Sequence, residues 1–116
     1  HLSWQAYFEQ DYIGLDRVSG NRTLLDRELA HLTPARPSIC ETRHVTTMLG
    51  MVEAGIGIAA VPAMSMPAGE HSVLRAVPLT DPVVTRTVGL IRLSGRIQSY
   101  VAAELEKLII EQYPSG

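Results

Sequence analysis

Two short polar segments of the chain combine residue types that bind small anions. Thr42, Arg43 and His44 present a hydroxyl, a guanidinium and an imidazole directly before an amphipathic stretch that begins at Val45. A second polar segment, 16–21, is rich in residues that start helices. Helix N-termini supply free backbone N–H groups and positive potential, which suit a carboxylate or another small anion. The alternative is that these hydroxyls only cap helices and that the guanidinium is solvated, and composition alone favours this simpler interpretation.

Residue spacing elsewhere in the chain does not favour catalysis, metal binding or nucleotide binding. No Gly-x-Ser-x-Gly motif is present, and no spacing pairs a nucleophile with a base. The histidines that lack metal-ligand spacing are His1, His31, His44 and His71. Gly55-Ile56-Gly57 starts like a dinucleotide-binding loop but lacks the third glycine and follows a predicted helix instead of a strand. We therefore expect no enzyme, no cofactor and no metal.

Composition limits the remaining function classes. Ten basic and twelve acidic side chains give 116 residues a net charge of −2, and the nine arginines are scattered, which argues against nucleic-acid binding by this stretch. With 46% apolar residues the chain can build the core of one domain. Its single cysteine, Cys40, excludes an internal disulfide. No apolar run is long enough to cross a bilayer, and the start without methionine indicates a piece of a longer protein.

Hydrophobic periodicity predicts alternating helices and strands. Helices are predicted over about 4–9, 21–32, from 45 to a cap at Gly55, and over about 14 residues from Ile97; strands are predicted over 12–15, 38–42, 56–62, 73–79 and 87–92. This order predicts an α/β fold with a mostly parallel mixed sheet that carries helices on both faces. In such a sheet, ligands bind at the carboxyl ends of the strands, where both polar segments fall.

Four stretches give the chain a family resemblance that covers nearly its whole length. The run from Val45 to Pro62, VTTMLGMVEAGIGIAAVP, resembles the signature of the effector-binding domain in LysR-type transcriptional regulators. In that family a helix ending in Val-x-x-Gly-x-Gly leads into a buried strand closed by Leu-Pro or Val-Pro. Tyr12 to Arg22 is similar to the family's Phe-Ile-x-x-Asp-x-x-Ser segment. Val73 to Leu93 and Ile97 to Ile110 match its closing strands and helix.

The resemblance implies one lobe of a domain similar to type 2 periplasmic binding proteins. Residues 1–92 would form the second lobe, and residues 93–116 would form a C-terminal helix segment returning toward a first lobe outside this chain. A small, anionic co-inducer would bind between the lobes. Operator DNA would be contacted only through an N-terminal helix-turn-helix, also outside this chain. The resemblance further implies a bacterial, cytoplasmic protein that forms dimers or tetramers and does not contact membranes.

The resemblance also transfers two sets of positions onto this sequence. The positions implied to bind the effector are Val18, Ser19, Thr42, Arg43, His44 and Val45. The family dimerises through elements equivalent to 21–32 and 38–41, which implies a dimer interface at Arg22, Leu25, Asp26, Leu29 and Ile39. Since the first set coincides with the two polar segments, the resemblance favours an anion site over simple helix caps at Thr42, Arg43 and His44, whereas capping alone still explains Ser19.

Two other function classes compete with a ligand sensor for transcription. One is a lobe of a periplasmic solute-binding protein used in transport, which would carry a signal peptide upstream. The other is a small α/β enzyme, which needs a catalytic constellation that the sequence does not contain. The Val-Glu-Ala-Gly-Ile-Gly-Ile run leading to Pro62 favours the regulator. An upstream helix-turn-helix would distinguish the regulator from the transport protein.

Overall fold

A computed structural model describes residues 1–69 and 73–114 and contains five short strands, four α-helices and one 3₁₀ helix. The strands are Leu2–Ser3 (β1), Tyr12–Leu15 (β2), Cys40–Thr42 (β3), Ile58–Ala59 (β4) and Leu79–Thr80 (β5). The helices are Trp4–Tyr7 (α1), Gly20–Glu28 (α2), Val45–Glu53 (α3) and Tyr100–Gln112 (α4), with the 3₁₀ helix at Ala63–Ser65. Two compact units divide the chain, His1–Thr85 and Arg86–Gly116.

The first unit is built on a three-stranded sheet in the order β3-β2-β4. Both of its strand pairs are parallel, with Leu15 opposite Thr42 and Tyr12 opposite Ile58. A second, two-stranded sheet pairs β1 with β5, also in parallel. A parallel pair needs a crossover connection, and α2 and α3 supply the crossovers from β2 to β3 and from β3 to β4. The predicted α/β class with a parallel sheet is confirmed.

Helices cover both faces of this sheet because successive side chains of a strand point to opposite faces. On one face Tyr12 of β2 packs in an aromatic cluster, defined as Trp4, Tyr7, Tyr12 and Leu29. On the other face Ile13 and Leu15 pack with Met48 of α3 in an aliphatic cluster formed by these three residues. Half-buried side chains on each face surround the buried ones. The crossovers through α2 and α3 therefore lie on opposite faces of the sheet.

Polar groups inside the aromatic cluster have partners. The Trp4 indole N–H donates to the Pro82 carbonyl at 2.9 Å, and the Tyr7 hydroxyl accepts from the Ala60 amide at 3.0 Å. The Tyr12 hydroxyl donates to the Arg36 carbonyl at 2.9 Å. Burial raises the pKa of Tyr7 well above the ordinary tyrosine value. These hydrogen bonds fix three rings of the cluster to loops of the first unit.

The sequence identified the ends of two helices from their caps. Ser3 accepts a hydrogen bond from the Ala6 amide at 3.1 Å and starts α1. Gly55 has a φ of 78° and follows α3, with its amide donating to the Val52 carbonyl. The next amide, that of Ile56, donates to the Met51 carbonyl, which completes a Schellman motif. Local sequence was sufficient here because both caps are made within a few residues.

The second helix ends earlier than the sequence predicts. The expected helix over 21–32 stops at Glu28, and Leu29 is its C-cap, with a φ of −106°. The chain then forms a turn in which the Leu32 amide donates to the Leu29 carbonyl at 2.9 Å. Leu25 and Leu32 still pack against the aromatic cluster. The apolar side chains of this segment therefore face the core as predicted, although Thr33-Pro34 does not end the helix.

The strand prediction failed in the last third of the chain. Of the expected strand over 73–79 only the final residue is in β5, and the expected strand over 87–92 is not formed among the described residues. The run over 56–62 forms only the two-residue β4, which is half-buried. A strand exists only where a neighbour supplies its ladder hydrogen bonds, and within residues 1–69 and 73–114 such neighbours are few. The pairing of β1 with β5 could not be predicted, because the two strands are far apart in the sequence and no local pattern marks them as partners.

The second unit carries the C-terminal helix. Ser99 accepts from the Ala102 amide at 3.2 Å and is the N-cap of α4, which begins at Tyr100, three residues beyond the expected start at Ile97. The Gln98 side-chain amide donates to Glu106 at 2.7 Å, and Arg92 lies 3.5 Å from the same carboxylate. The apolar residues of this unit that are exposed include Ile97, Val101, Leu105 and Leu108. The predicted domain boundary between residues 92 and 93 stays a prediction. The two observed units are divided between Thr85 and Arg86.

Two glycines of this fold are expected to respond oppositely to alanine. A Cβ at Gly57 would overlap the Asp11 carbonyl, which accepts the Ile58 amide at 2.9 Å, whereas a Cβ at Gly50 within α3 would meet no atom within 4 Å. We expect Gly57→Ala to lower the free energy of unfolding by about 1–3 kcal/mol through overpacking. Gly50→Ala should raise it by about 0.5–1 kcal/mol, because alanine is the better helix former.

Urea denaturation followed by circular dichroism measures both changes in unfolding free energy. Equal effects of the same sign in Gly57→Ala and Gly50→Ala would show that the contact between Gly57 and Asp11 does not constrain the start of β4.

Candidate functional site

The carboxyl ends of β2 and β3 lie side by side in the sheet. Leu15, the last residue of β2, is opposite Thr42, the last residue of β3, and the Asp16 amide donates to the Thr42 carbonyl at 3.0 Å. From this edge the chain continues into α2 on one face of the sheet and into α3 on the other. Ligands of open α/β sheets bind outside the carboxyl ends of the strands, and we name the surface at the ends of β2 and β3 the crevice.

Asp16 organises the two segments that border this crevice. One carboxylate oxygen accepts from the Val18 amide at 2.7 Å, which fixes the turn into α2. The other carboxylate oxygen lies 3.4 Å from Nε of Arg43. Asp16 follows β2 and Arg43 follows β3, so this ion pair links the two segments. The Asp16 side chain is 29% exposed and that of Arg43 is 65% exposed. The acid is thus held in place by the fold, while most of the guanidinium remains open to solvent.

The helices that begin at the crevice lack side-chain caps. Ser19 is the N-cap residue of α2 and His44 that of α3, and neither side chain makes a capping hydrogen bond in the described structure. By contrast, Ser3 and Ser99 cap α1 and α4 with their hydroxyls. Since the first amides of a helix have no partner within the helix itself, the N-termini of α2 and α3 bring positive potential to the same edge. The simpler interpretation, in which the hydroxyls of Ser19 and Thr42 serve as caps, is not supported.

All six positions implied to bind an effector lie at the carboxyl end of β3 or in the segments that follow β2 and β3. The structure brings them to one edge of the sheet through the contacts of Asp16 with both segments. Val18, Arg43 and His44 are exposed, whereas Ser19, Thr42 and Val45 are half-buried. Asp16 was missed as a member of this group, although its place directly after a predicted strand was a usable signal.

The five positions implied to form a dimer interface have different surroundings. Arg22 of α2 donates to the Leu15 carbonyl at 2.7 Å and pairs with Asp26 at 2.9 Å and Glu41 at 3.4 Å. Its hydrogen bond to Asp26 is the main cause that raises the pKa of Arg22. Leu25 is half-buried and Ile39 is exposed. Leu29 lies in the aromatic cluster with 6% exposure, which leaves it little surface for a partner.

A cavity of about 600 Å³ lies elsewhere in the first unit. Its lining includes Tyr12, Leu25 and Leu29 together with Arg22 and Asp26. It includes none of the six positions at the carboxyl edge and four of the five implied for a dimer interface. Its volume is in the range of ligand pockets, but its two arginines are already paired, Arg22 with Asp26 and Glu41 and Arg36 with Asp11. The cavity and the crevice are therefore separate features of this unit.

The described ranges contain no cluster suited to a metal ion. Within residues 1–69 and 73–114 no three His, Cys, Asp or Glu side chains come together in such a group. His71 lies outside the described residues, and the expected absence of a metal stays a prediction. None of the helices described for this chain has the length and apolar character needed to cross a membrane.

Comparison with known proteins identifies the family of this chain. Residues 1–114 match the family described as LysR substrate binding domain. The chain belongs to the LysR substrate-binding domain family. The expected resemblance is confirmed, and with it the type 2 periplasmic-binding-like α/β fold class.

Two curated relatives of this LysR domain are named as transcriptional regulators. The chain is similar to "Uncharacterized HTH-type transcriptional regulator YbhD" of Escherichia coli strain K12, with 38% identity over 109 residues, covering 94% of this chain and 34% of the relative. It is also similar to "Uncharacterized HTH-type transcriptional regulator YfeR" of Shigella flexneri, with 35% identity over 112 residues, covering 97% of this chain and 36% of the relative. The chain thus spans about a third of the length of these relatives. No solved structure gives a significant match.

Proposed function

We propose that this LysR domain segment senses a small molecule that carries a carboxylate or another anionic group. The effector would bind in the crevice at the carboxyl ends of β2 and β3, against Val18, Ser19 and the segment 42–45. The observation that carries this proposal is the meeting of two uncapped helix N-termini at neighbouring strand ends. Effector binding is general to the family, and the crevice offers the donors that an anion needs.

Each residue of the crevice has a distinct proposed role. The exposed guanidinium of Arg43 would pair with the anionic group of the effector, since charge-assisted hydrogen bonds are stronger than neutral ones. The Thr42 hydroxyl and the first amides of α3 would add hydrogen bonds to the same group. His44 and Val18 would border the ligand from the exposed side of the crevice. No bond to the effector is made or broken in this scheme, so the proposed activity is binding without catalysis.

The remaining two-thirds of the parent protein would convert binding into regulation. Both relatives carry "HTH-type" in their names, which supports a helix-turn-helix that contacts operator DNA outside this chain. We propose that residues 1–92 form the second lobe of the sensor and that residues 93–116 return toward a first lobe. An effector that binds the closed arrangement more tightly than the open one would shift the equilibrium between them. Such a regulator would act in the cytoplasm, where its DNA lies.

We further propose that the α2 and β3 edge contributes to self-association of the parent protein. Arg22, Leu25, Asp26 and Ile39 would form the contact surface, with Leu29 supporting it from the core. Exposed Ile39 and half-buried Leu25 support this role. Neither relative is named as a transport protein or an enzyme, so no observation favours the transport or enzyme alternative.

Thermal unfolding of the full-length protein tests the proposed function. The probes are benzoate, 3-phenylpropanoate, glutarate, glycerol 3-phosphate and the proteinogenic L-amino acids, all of which carry an anionic group, with glucose as the uncharged comparison. A ligand present at a hundred times its Kd should stabilise the folded protein by about 2.7 kcal/mol. We expect at least one anionic probe to raise the Tm by an amount that increases with the logarithm of its concentration above its Kd. A rise with glucose and with none of the anionic probes would contradict the proposed chemistry.

A further inference from the structure

The charged groups at the crevice have opposite signs. Arg43, the group proposed to bind an anion, has a carboxylate as its partner, because Asp16 lies 3.4 Å from its Nε. Asp16 cannot easily move away, since its other oxygen is tied to the Val18 amide at 2.7 Å and its own amide continues the strand ladder to Thr42. Any anion that binds to Arg43 therefore comes close to a second, fixed negative charge.

This arrangement disfavours a simple anion as the ligand. The side chain of Asp16 is half-buried, so solvent screens its repulsion of a second anion only in part. A carboxylate accepts at about four lone-pair sites, and the bonds to Val18 and Arg43 leave acceptor capacity on Asp16. A cationic donor on the ligand would use that capacity and remove the repulsion.

We propose that the effector is an α-amino acid, an inference that rests on the proposed function. Its carboxylate would bind to the outer nitrogens of the Arg43 guanidinium, and its ammonium would donate to Asp16. These two groups share one carbon in an α-amino acid, and their receptors are in direct contact here. Asp16 would thus be the specificity-determining residue of the crevice, selecting zwitterions over acids of the same shape. The side chain of the amino acid would be chosen by the part of the protein outside this chain.

A binding experiment on the full-length protein separates zwitterions from plain anions. The proteinogenic L-amino acids are screened by thermal unfolding. Each one that binds is then titrated by calorimetry beside two analogues, one without the α-amino group and one without the carboxylate. For phenylalanine these are 3-phenylpropanoate and phenethylamine, and for leucine they are 4-methylpentanoate and 3-methylbutylamine. We expect one or a few amino acids to bind, and each analogue to bind at least about tenfold more weakly, as loss of a charged hydrogen bond predicts.

Two substitutions of aspartate identify the carboxylate responsible. Asp16→Asn keeps an oxygen that accepts from the Val18 amide but removes the charge, so it should weaken amino-acid binding about tenfold and bring the deaminated acid level with the amino acid. Asp11→Asn is the matched control, because Asp11 precedes β2 at its opposite end and pairs with the exposed Arg36. Binding by Asp11→Asn should equal that of the unchanged protein.

The outcomes distinguish this inference from the proposed function. Binding of a deaminated acid or of glycerol 3-phosphate, without binding of any amino acid, overturns the inference that the effector is a zwitterion. The proposed function as an anion sensor would remain supported. Amino-acid binding that is unchanged in Asp16→Asn also overturns it, because the ammonium would then be held elsewhere. If no anionic or zwitterionic probe binds, both the inference and the proposed anion chemistry are wrong.

Discussion

The Arg43→Ala variant of the full-length protein is expected to lose its response to the carboxylate probe that stabilises the unchanged protein, while it keeps its affinity for DNA. The guanidinium is exposed at the crevice and lies directly before α3, so its removal deletes the strongest proposed contact without leaving a cavity in the core. Loss of a charged hydrogen bond costs about 1.5–3 kcal/mol. The apparent Kd for the probe should therefore rise about 10- to 100-fold. Calorimetry measures this Kd.

The matched control for this prediction is Arg27→Ala. Arg27 is an exposed arginine of α2 whose partner is its neighbour Glu28, at 3.3 Å, and it does not border the crevice. Both variants have the same change in net charge, so a nonspecific electrostatic effect would appear equally in the two. DNA affinity is followed by fluorescence anisotropy on duplexes that the full-length protein selects from random sequence. A full response in Arg43→Ala, or an equal loss in Arg27→Ala, would place the effector elsewhere.

The parts of the fold that were predicted correctly rest on interactions between near neighbours in sequence. The Ser3 cap, the strand at Tyr12–Leu15 and the helix from Val45 to the Gly55 motif are all of this kind. The end of α2 was missed because Leu29 leaves the helix while remaining in the aromatic cluster, so packing and not Pro34 decides the backbone path there. The predictions of strands over 73–79 and 87–92 were wrong because a strand forms only beside a partner strand, and sequence periodicity does not identify that partner.

The candidate site shows the same division. The position of its polar residues in the fold could be predicted, because residues that follow a parallel strand must lie at the carboxyl edge of the sheet. Its charge balance could not be predicted, because Asp16 and Arg43 are 27 residues apart and meet only when β2 and β3 pair. Sequence reasoning therefore favoured a simple anion for Arg43, whereas the geometry of the folded edge gives this arginine an acidic partner.

Leu29→Ala is expected to lower the free energy of unfolding by about 2–5 kcal/mol, the range for removing a buried leucine from a core. Leu29 is 6% exposed and lies in the aromatic cluster with Trp4, Tyr7 and Tyr12. The control is Leu105→Ala in α4, where the leucine is exposed and the change should stay within about 0.5 kcal/mol. Urea denaturation of each variant followed by tryptophan fluorescence measures the loss, since Trp4 lies in the same cluster.

The concentration dependence of this loss decides between two roles for Leu29. A core residue stabilises each chain by itself, so the difference between Leu29→Ala and the unchanged protein should be the same at low and high protein concentration. A residue at a dimer interface stabilises through association, and its truncation would change the unfolding midpoint by an amount that varies with protein concentration. Burial against three aromatic rings favours the first result. A loss that varies with protein concentration would show that Leu29 lies at an interface between chains and not in the core. The sheet would then cover a different face of α2.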